Sequence, residues 1–310
     1  MKKILIATSS FDLNNFEQID ILKSNNFEIV FNPFDKRLNE VEIFNLLDND
    51  VVGVIAGLEK YNYNLLNKAK FLKVISRCGI GLDNIDLDTA NKLGISVYNT
   101  PDAPTRAVAE LTIAHIFSIL RRISESDREI KAGQWKPLMG SLLNKQTIGI
   151  VGYGRVGKMV ASFLKPFGSK VISYDPVIKN NNDNIEMVSF EKLLLESDVV
   201  TLHIPYSQQN HHIINDIALK KMKQNAFLVN IARGGLIDEN ALLEVLKDNK
   251  LSGVSLDCFE EEPYTGPLLS INKVQVTAHM GSYAKEARMM MESEACANLV
   301  KGLRNNGLLL

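Results

Sequence analysis

Short apolar runs alternate with longer amphipathic stretches along most of this 310-residue chain. Apolar runs bounded by polar and turn-forming residues are typical of buried β-strands, and the segments between them have the periodicity of helices. The first part of the chain contains five such runs, which predict strands at 4–7, 27–31, 51–56, 72–76 and 95–98. The segments between them predict helices near 15–24, 40–47, 64–70 and 88–93. Repeated β–α units indicate a parallel sheet covered by helices.

The alternation stops at Pro101 and Pro104 and restarts at Thr147. The interval predicts a long apolar helix over 105–120 and a further helix over 124–132. Beyond it, strands are predicted at 147–151, 170–174, 198–204, 226–231, 253–257 and 274–278. Helices are predicted near 155–167, 190–196, 215–222 and 238–248, with a last helix over 283–304. The pattern therefore indicates two α/β units, and a cleft between two such units is a natural ligand site.

A glycine-rich hexapeptide, residues 152–157, joins the first strand of the second unit to its helix. In dinucleotide-binding turns of this form, Gly152 permits the tight turn and Gly154 lets a pyrophosphate approach the backbone. Gly157 lets the helix pack close to the sheet, and the free N–H groups at the helix start face the phosphate charge. The next strand ends in Asp175, 18 residues later, as the pattern requires. A purely structural glycine turn is the alternative.

The acid after the second strand indicates which dinucleotide binds. A carboxylate at Asp175 accepts hydrogen bonds from the adenosine ribose hydroxyls and repels a 2′-phosphate. No arginine follows it directly, and Lys179 is the nearest cation. We therefore expect NAD rather than NADP.

Three later strand ends combine charged side chains with turn residues. Arg233 precedes two glycines and could hold a carboxylate through its two-pronged guanidinium. Three consecutive acids, 260–262, follow the next strand, and His279 follows the one after it. Histidine is a natural acid or base near neutral pH, and a nearby carboxylate would favour its protonated form. Together these groups could reduce a keto acid by hydride transfer, although each alone could be an ordinary surface or packed residue.

The ordered motifs also carry a family resemblance, which runs over nearly the whole chain from Leu72. The motifs that carry it are 79–86, 99–101, 109–112, the glycine turn, 230–235, 256–259 with 262–263, and His279 with Gly281. On these motifs the chain resembles the D-isomer-specific 2-hydroxyacid dehydrogenases, and among them the D-3-phosphoglycerate dehydrogenases.

The resemblance implies a role for individual residues. The catalytic arginine, glutamate and histidine of the family fall on Arg233, Glu262 and His279. The implied cofactor contacts are Ile80, Gly152, Gly154, Arg155, Val156, Gly157, Asp175, His203, Ile204, Pro205, Ile231, Ala232, Asp257 and Gly281. Among them, Asp257 corresponds to the partner of the nicotinamide carboxamide, and His203 and Pro205 to the wall beside the adenine. The loop Arg77, Cys78, Gly79 and Ile80 is implied to bind the substrate carboxylate together with Arg233.

The resemblance further implies a Rossmann-type doubly wound cofactor domain inserted into a smaller flavodoxin-like α/β substrate domain. The expected bounds are 99–282 for the NAD-binding domain and 1–98 plus 283–310 for the substrate domain. A homodimer is expected through the cofactor domains, with helix 105–120 and Trp135 at the contact, and an internal core helix is the alternative. No C-terminal regulatory domain of the serine-feedback type is expected.

The implied reaction is NAD-dependent oxidation of D-3-phosphoglycerate, a step of serine biosynthesis. Some phosphoglycerate dehydrogenases contact the substrate phosphate with an N-terminal arginine, but residues 57–60 contain none. Lys60, Arg77 or Arg106 could substitute. The open alternatives are a hydroxypyruvate or glyoxylate reductase and, outside the enzymes, an NADH-sensing binding protein, against which the intact catalytic trio argues.

Composition excludes several other classes of protein. The formal net charge of −1 gives no basic surface field for nucleic acid or an anionic membrane. Three widely spaced cysteines fit a reducing cytoplasm better than a disulfide framework or a zinc site. The apolar run at residues 4–7 is too short for a signal peptide and is better explained as a strand. His211 and His212 would need further ligands to bind zinc, so no metal is expected.

Overall fold

A computed structural model describes residues 1–9, 11, 16–178 and 183–309. The start of the first predicted helix and Lys179 lie outside these residues. The chain forms two compact units, one of Met1–Pro104 with Ser282–Leu310 and the other of Thr105–Gly281. Their limits are 104/105 and 281/282, where the sequence predicted 98/99 and 282/283.

The first unit contains a five-stranded parallel sheet. Its strands are β1 (Lys3–Ile6), β2 (Glu28–Phe31), β3 (Val51–Ala56), β4 (Val74–Arg77) and β5 (Ser96–Tyr98). Their order, β2-β1-β3-β4-β5, is that of flavodoxin. The connecting helices are α1 (Glu17–Ser24), α2 (Glu40–Leu46), α3 (Tyr63–Lys68) and α4 (Leu87–Lys92). The central strand β3 is apolar and buried throughout, as expected for a sheet covered on both faces.

The last helix of the chain, α11 (Lys285–Asn305), belongs to this first unit. It packs on β3 and β4 through buried side chains that include Ala295, Leu299 and Leu303. The fit is close, because a Cβ added at Gly53 would lie 2.8 Å from Leu299 Cδ1. The C-terminal segment therefore completes the core that the N-terminal segment begins.

The second unit contains a seven-stranded parallel sheet. Its strands are β6 (Thr147–Val151), β7 (Lys170–Tyr174), β8 (Glu186–Met187), β9 (Val199–Leu202), β10 (Ala226–Asn230), β11 (Leu251–Leu256) and β12 (Val274–Val276). The order is β12-β11-β10-β9-β6-β7-β8. Chain order reverses between β6 and β9, which is the doubly wound arrangement of a Rossmann fold. The predicted fold class is thus confirmed for both units.

The described residues of this unit include six α-helices. They are α5 (Thr105–Leu120), α6 (Ile123–Lys131), α7 (Arg155–Leu164), α8 (Phe190–Glu196), α9 (Asp216–Lys221) and α10 (Glu239–Lys247). Helix α5 packs against α7, β10 and β11, and its buried residues join the core. Helix α5 therefore contributes one face to the core of its own unit, and its predicted part in a dimer contact stays a prediction. Among the described residues, no helix combines the length and apolar character needed to cross a membrane.

Candidate active site

The predicted site residues of the second unit follow the carboxyl ends of six neighbouring strands. The glycine turn follows β6, Asp175 follows β7, and His203 follows β9. Arg233, Glu262 and His279 come after β10, β11 and β12. Because all these strands are parallel, their carboxyl ends meet at one edge of the sheet. Ligands of open α/β sheets bind at this edge, beside the point where strand order reverses.

Each glycine of the turn after β6 meets a different environment. Gly152 has a φ of 102°, which L side chains rarely adopt, and its N–H donates to the carbonyl of Tyr174 at 2.7 Å. A Cβ at Gly157 would lie 2.0 Å from the carbonyl oxygen of Gly152, so helix α7 can approach the turn only without a side chain. A Cβ at Gly154 would meet nothing within 4 Å. The open space at Gly154, next to the first turn of α7, fits the approach of a pyrophosphate.

Asp175 is tied to the same turn. Its Oδ2 accepts from the backbone N–H of Tyr153 at 2.8 Å, and its Oδ1 accepts from Val177 and Ile178 at 2.8 Å each. These bonds fix the carboxylate beside the glycine turn. The sequence pattern assigns this carboxylate to the adenosine ribose, and that role stays a prediction.

The segment after β9 lies against the glycine turn. A Cβ on Gly152 would be 2.6 Å from the carbonyl oxygen of His203 and 2.7 Å from the side chain of Ile204. The His203 ring contacts the Thr201 hydroxyl at 3.0 Å, and burial lowers the pKa of His203 to about 3. This imidazole is therefore neutral at physiological pH. The exposed Pro205 follows, and its carbonyl accepts from Asn210.

Arg233 is held by the backbone that surrounds it. The buried Asn230 accepts from the N–H of Ala232 at 3.0 Å and donates to the carbonyl of Arg233 at 2.8 Å. Ile231 between them is buried. A Cβ at Gly234 would lie 1.9 Å from the carbonyl carbon of Phe259, so the loops after β10 and β11 touch through their backbones. The missing side chain at Gly234 therefore lets Arg233 lie beside the loop that contains Glu262.

Glu262 and His279 form a direct pair. Nδ1 of His279 lies 2.9 Å from both carboxylate oxygens of Glu262, and both side chains are partly exposed. Oε1 of Glu262 also accepts from the N–H of Phe259 at 3.1 Å. His279 has a φ of 51°, an unusual value that tends to occur at functional sites. Of the three consecutive acids, Glu262 meets this imidazole, whereas Glu260 contacts His212.

The predicted substrate loop of the first unit follows β4. The Arg77 side chain is buried beneath it, since a Cβ at Gly79 would lie 1.2 Å from Arg77 Nη1. The N–H groups of Cys78 and Gly79 donate to the carbonyls of Ala56 and Arg77. Ile80 is exposed and its carbonyl accepts from Asn99 at 2.7 Å. The binding roles of this loop stay predictions.

Comparison with known proteins places this geometry in a family. Residues 113–281 match the model of the D-isomer specific 2-hydroxyacid dehydrogenase, NAD binding domain. The chain is 41% identical over 255 residues to a glyoxylate reductase of Thermococcus litoralis. This match covers 78% of the present chain and 77% of the reductase. The chain belongs to the D-isomer specific 2-hydroxyacid dehydrogenases. It is thus an NAD-dependent D-2-hydroxyacid dehydrogenase, and its cofactor is NAD.

Other members of the family match over similar lengths. A D-3-phosphoglycerate dehydrogenase of Methanocaldococcus jannaschii is 40% identical over 264 residues, covering 83% of this chain but 50% of that protein. Among solved structures, a D-lactate dehydrogenase of Aquifex aeolicus, complexed with NAD and lactic acid, has a TM-score of 0.84 at 28% identity. That match covers 99% of this chain and 96% of the other. Family membership is therefore shown, and the substrate differs among relatives of nearly equal identity.

In this dehydrogenase, a buried network behind His279 was not predicted from the sequence. The fully buried Asp257 accepts from the N–H groups of Met280 and Gly281 at 2.8 Å each and from the Thr277 hydroxyl at 2.5 Å. His115, on α5, lies 3.4 Å from that hydroxyl. Its other ring nitrogen lies 2.7 Å from the Ser255 hydroxyl, and burial lowers the pKa of His115.

The network fixes the turn that presents His279. The predicted role of Asp257 was a contact with the nicotinamide, and the structure adds this second task. The sequence signal for this network was His115, a histidine inside the apolar stretch 105–120.

Proposed function

We propose that Arg233, Glu262 and His279 form the catalytic group of this dehydrogenase. The observation that carries the proposal is the contact of His279 Nδ1 with both oxygens of Glu262. With Nδ1 donating to the carboxylate, Nε2 is the nitrogen left to give a proton to a substrate carbonyl oxygen. Glu262 orients the ring through this contact. The guanidinium of Arg233 binds the substrate carboxylate through two parallel hydrogen bonds.

The bound NADH would supply the hydride. The glycine turn and the start of α7 would hold its pyrophosphate, and Asp175 its adenosine ribose. His203, Ile204 and Pro205 would border the adenine, while Ile231, Ala232 and Gly281 would lie toward the nicotinamide. The support is the open space at Gly154 and the position of all these residues at one sheet edge. In the oxidation direction, His279 would take the hydroxyl proton as a base.

We propose D-3-phosphoglycerate as the substrate, oxidised to 3-phosphohydroxypyruvate for serine biosynthesis. The support is the motif resemblance and the 40% identity to a relative that bears this activity's name. That relative is about twice as long as its matched segment, so the assignment rests on the shared half.

A second candidate is reduction of a smaller keto acid, glyoxylate or hydroxypyruvate. The segment where an arginine would meet a phosphate contains a buried carboxylate, Glu59, which accepts from the Tyr61 hydroxyl and the Gly57 N–H at 2.8 Å each. Burial raises the pKa of Glu59. Glu59 supplies no cation for a phosphate, and within residues 57–60 only Lys60 could supply one. The 41% identical glyoxylate reductase also favours the smaller acids.

A panel of keto acids distinguishes these candidates. The oxidation of NADH would be followed by its absorbance, with each keto acid varied over about 1 μM–1 mM, the range of typical KM values. A kcat/KM highest for phosphohydroxypyruvate supports the first candidate, and one highest for glyoxylate or hydroxypyruvate supports the second. No NADH oxidation with any keto acid, together with tight NADH binding, would contradict both and favour a binding protein.

We also propose that the enzyme is a homodimer formed through its cofactor domains. The support is a set of exposed apolar side chains after α5, including Trp135 at 89% and Met139 at 88% exposure, with Ile123 and Leu142. All four lie within the segment 123–142, and a concentration of exposed apolar surface commonly marks an interface. The helix 105–120, predicted to share the contact, packs mainly inside its own unit. Light scattering should give a dimer mass for the wild type and a monomer mass for Trp135→Glu with Met139→Glu; a monomeric wild type would refute the proposal.

We further propose a reducing compartment, the cytoplasm. The support is that Cys78, Cys258 and Cys296 are all free and buried. Structural disulfides are rare in such compartments.

A further inference from the structure

Two histidines and a glutamate converge on the second unit, outside the proposed catalytic group. His211 and His212 lie in the loop after β9, and Glu260 lies in the loop after β11. One ligand atom from each lies within 4.8 Å of the others. Among the residues that the structure describes, this is the one cluster of three such side chains with this spacing. Glu260 thus supplies the further ligand that the sequence alone did not place beside the two histidines.

Each imidazole has a polar neighbour on its outer side. Nδ1 of His211 lies 3.3 Å from the Tyr206 hydroxyl, which leaves its Nε2 for another partner. Nδ1 of His212 lies 4.0 Å from Asp238, and its Nε2 contacts the carboxylate of Glu260 directly. The two rings stack with centroids 3.7 Å apart. His211 is held as metal-binding histidines usually are, with one nitrogen on a hydroxyl and the other directed away from it.

We propose that His211, His212 and Glu260 bind a divalent transition-metal ion of the Zn²⁺ class. Imidazole nitrogens with one carboxylate oxygen suit Zn²⁺, Co²⁺ and Ni²⁺ rather than Mg²⁺ or Ca²⁺. Three protein ligands leave a fourth position for water. His211 and Glu260 are exposed, so the ion exchanges with solvent and the fold does not depend on it. Binding draws the Glu260 carboxylate and the two rings around the ion in place of their present direct contact.

The proposed metal site is connected to the loops of the catalytic group. The N–H of His212 donates to the carbonyl of Gly235 at 2.9 Å, two residues after Arg233. The N–H of Glu260 donates to Glu239 at 2.8 Å, and its nitrogen would be 2.3 Å from a Cβ on Gly234. Glu262 follows two residues later. An ion bound here therefore restrains both loops, and we expect it to change turnover. The effect on turnover rests on the proposed function, whereas the binding of the ion does not.

Titration of the full-length protein with Zn²⁺, followed by calorimetry, tests the site without measuring activity. The wild type should bind one ion per chain. His211→Ala, His212→Ala and Glu260→Gln should each weaken Zn²⁺ binding at least about tenfold, since each removes a ligand. The matched control is Glu261→Gln, which removes a neighbouring exposed carboxylate and should bind Zn²⁺ as the wild type does.

Two results would overturn the proposal. One is the absence of saturable Zn²⁺ binding by the wild type. The other is unchanged binding by the folded His211→Ala and Glu260→Gln variants, which would assign the ion to another group, such as His279 with Glu262. Circular dichroism of each variant confirms that it is folded. If His212→Ala unfolds, His211→Ala still tests the site, because the His211 side chain is exposed. Turnover with and without Zn²⁺ then shows separately whether the ion affects the catalytic loops.

Discussion

Two glycines of the turn after β6 allow cofactor binding to be separated from folding. Gly154 has φ −78° and ψ −158°, an extended conformation that alanine adopts without strain, and a Cβ there meets nothing within 4 Å. Gly157 lies one turn into α7, where a Cβ would be 2.0 Å from the carbonyl oxygen of Gly152. Gly154→Ala therefore fills space meant for a ligand, whereas Gly157→Ala forces the protein to move.

The size of each effect follows from these distances. Ordinary contact begins at 3.4 Å, so Gly157→Ala requires a shift of 3.4 − 2.0 = 1.4 Å between α7 and the turn. Overpacking of this kind costs about 1–3 kcal/mol, against which alanine's better helix propensity returns up to ~1 kcal/mol. Gly154→Ala should change the free energy of unfolding by less than about 0.5 kcal/mol. It should nevertheless raise the Kd for NADH at least about tenfold, or about 1.4 kcal/mol, by obstructing the pyrophosphate.

Urea denaturation and NADH fluorescence titration measure the two effects separately. The expected result is a stable Gly154→Ala protein with weak NADH binding and a destabilised Gly157→Ala protein. An unchanged Kd for Gly154→Ala would refute the assignment of the pyrophosphate to this turn. A Gly157→Ala protein as stable as the wild type would refute the packing argument.

Two further predictions concern titratable groups. Burial raises the pKa of Cys78 to about 11 and of Cys296 to about 12, and it raises that of Cys258 well above its usual value, so all three should be thiols at neutral pH. Ellman's reagent should therefore react slowly with the native protein and with three thiols after denaturation; rapid native labelling would contradict the burial. The pKa of His203 is about 3 in the folded protein and 6.5 in the unfolded chain. Between these values the unfolded chain binds a proton that the folded protein does not. The free energy of unfolding is therefore at its full value above pH 6.5 and falls as the pH decreases toward 3. The free energy of unfolding should change by at most about 1.4 kcal/mol per pH unit from this group, and the slope should be smaller in His203→Gln. Equal slopes for the wild type and the variant would show that His203 is not the source of the pH dependence.

The apolar pattern predicted the strands of the second unit well, but it overran their carboxyl ends. Predicted strands reached 204, 231, 257 and 278, whereas β9, β10, β11 and β12 end at 202, 230, 256 and 276. The extra residues include Ile204 and Ile231, which are buried yet belong to the loops at the carboxyl edge. Hydrophobicity reports burial and not hydrogen bonding, so the pattern cannot distinguish a buried loop residue from a strand residue. The two-residue strand β8, Glu186–Met187, has no apolar run and escaped the pattern.

For the candidate site, residue spacing predicted the contacts that lie within a single short motif. The roles of Gly152 and Gly157 follow from a turn of six residues, and the observed contacts agree with the expected tight turn and close packing. Contacts between distant segments could not be predicted in this way. His115 meets Ser255 across 140 residues, and Glu260 meets His212 across 48, because separate loops converge only after the sheet forms.

The most direct test of the account is the turnover of His279→Asn. Asparagine tolerates the positive φ of 51° at this position better than most residues, but it cannot act as an acid or base at neutral pH. With the best keto acid of the panel, kcat should fall about 10²–10⁴-fold. The Kd for NADH should change little, since the glycine turn and Asp175 remain intact. A variant that keeps near wild-type kcat would contradict the claim that His279, held by Glu262, gives the proton in the hydride-transfer reaction.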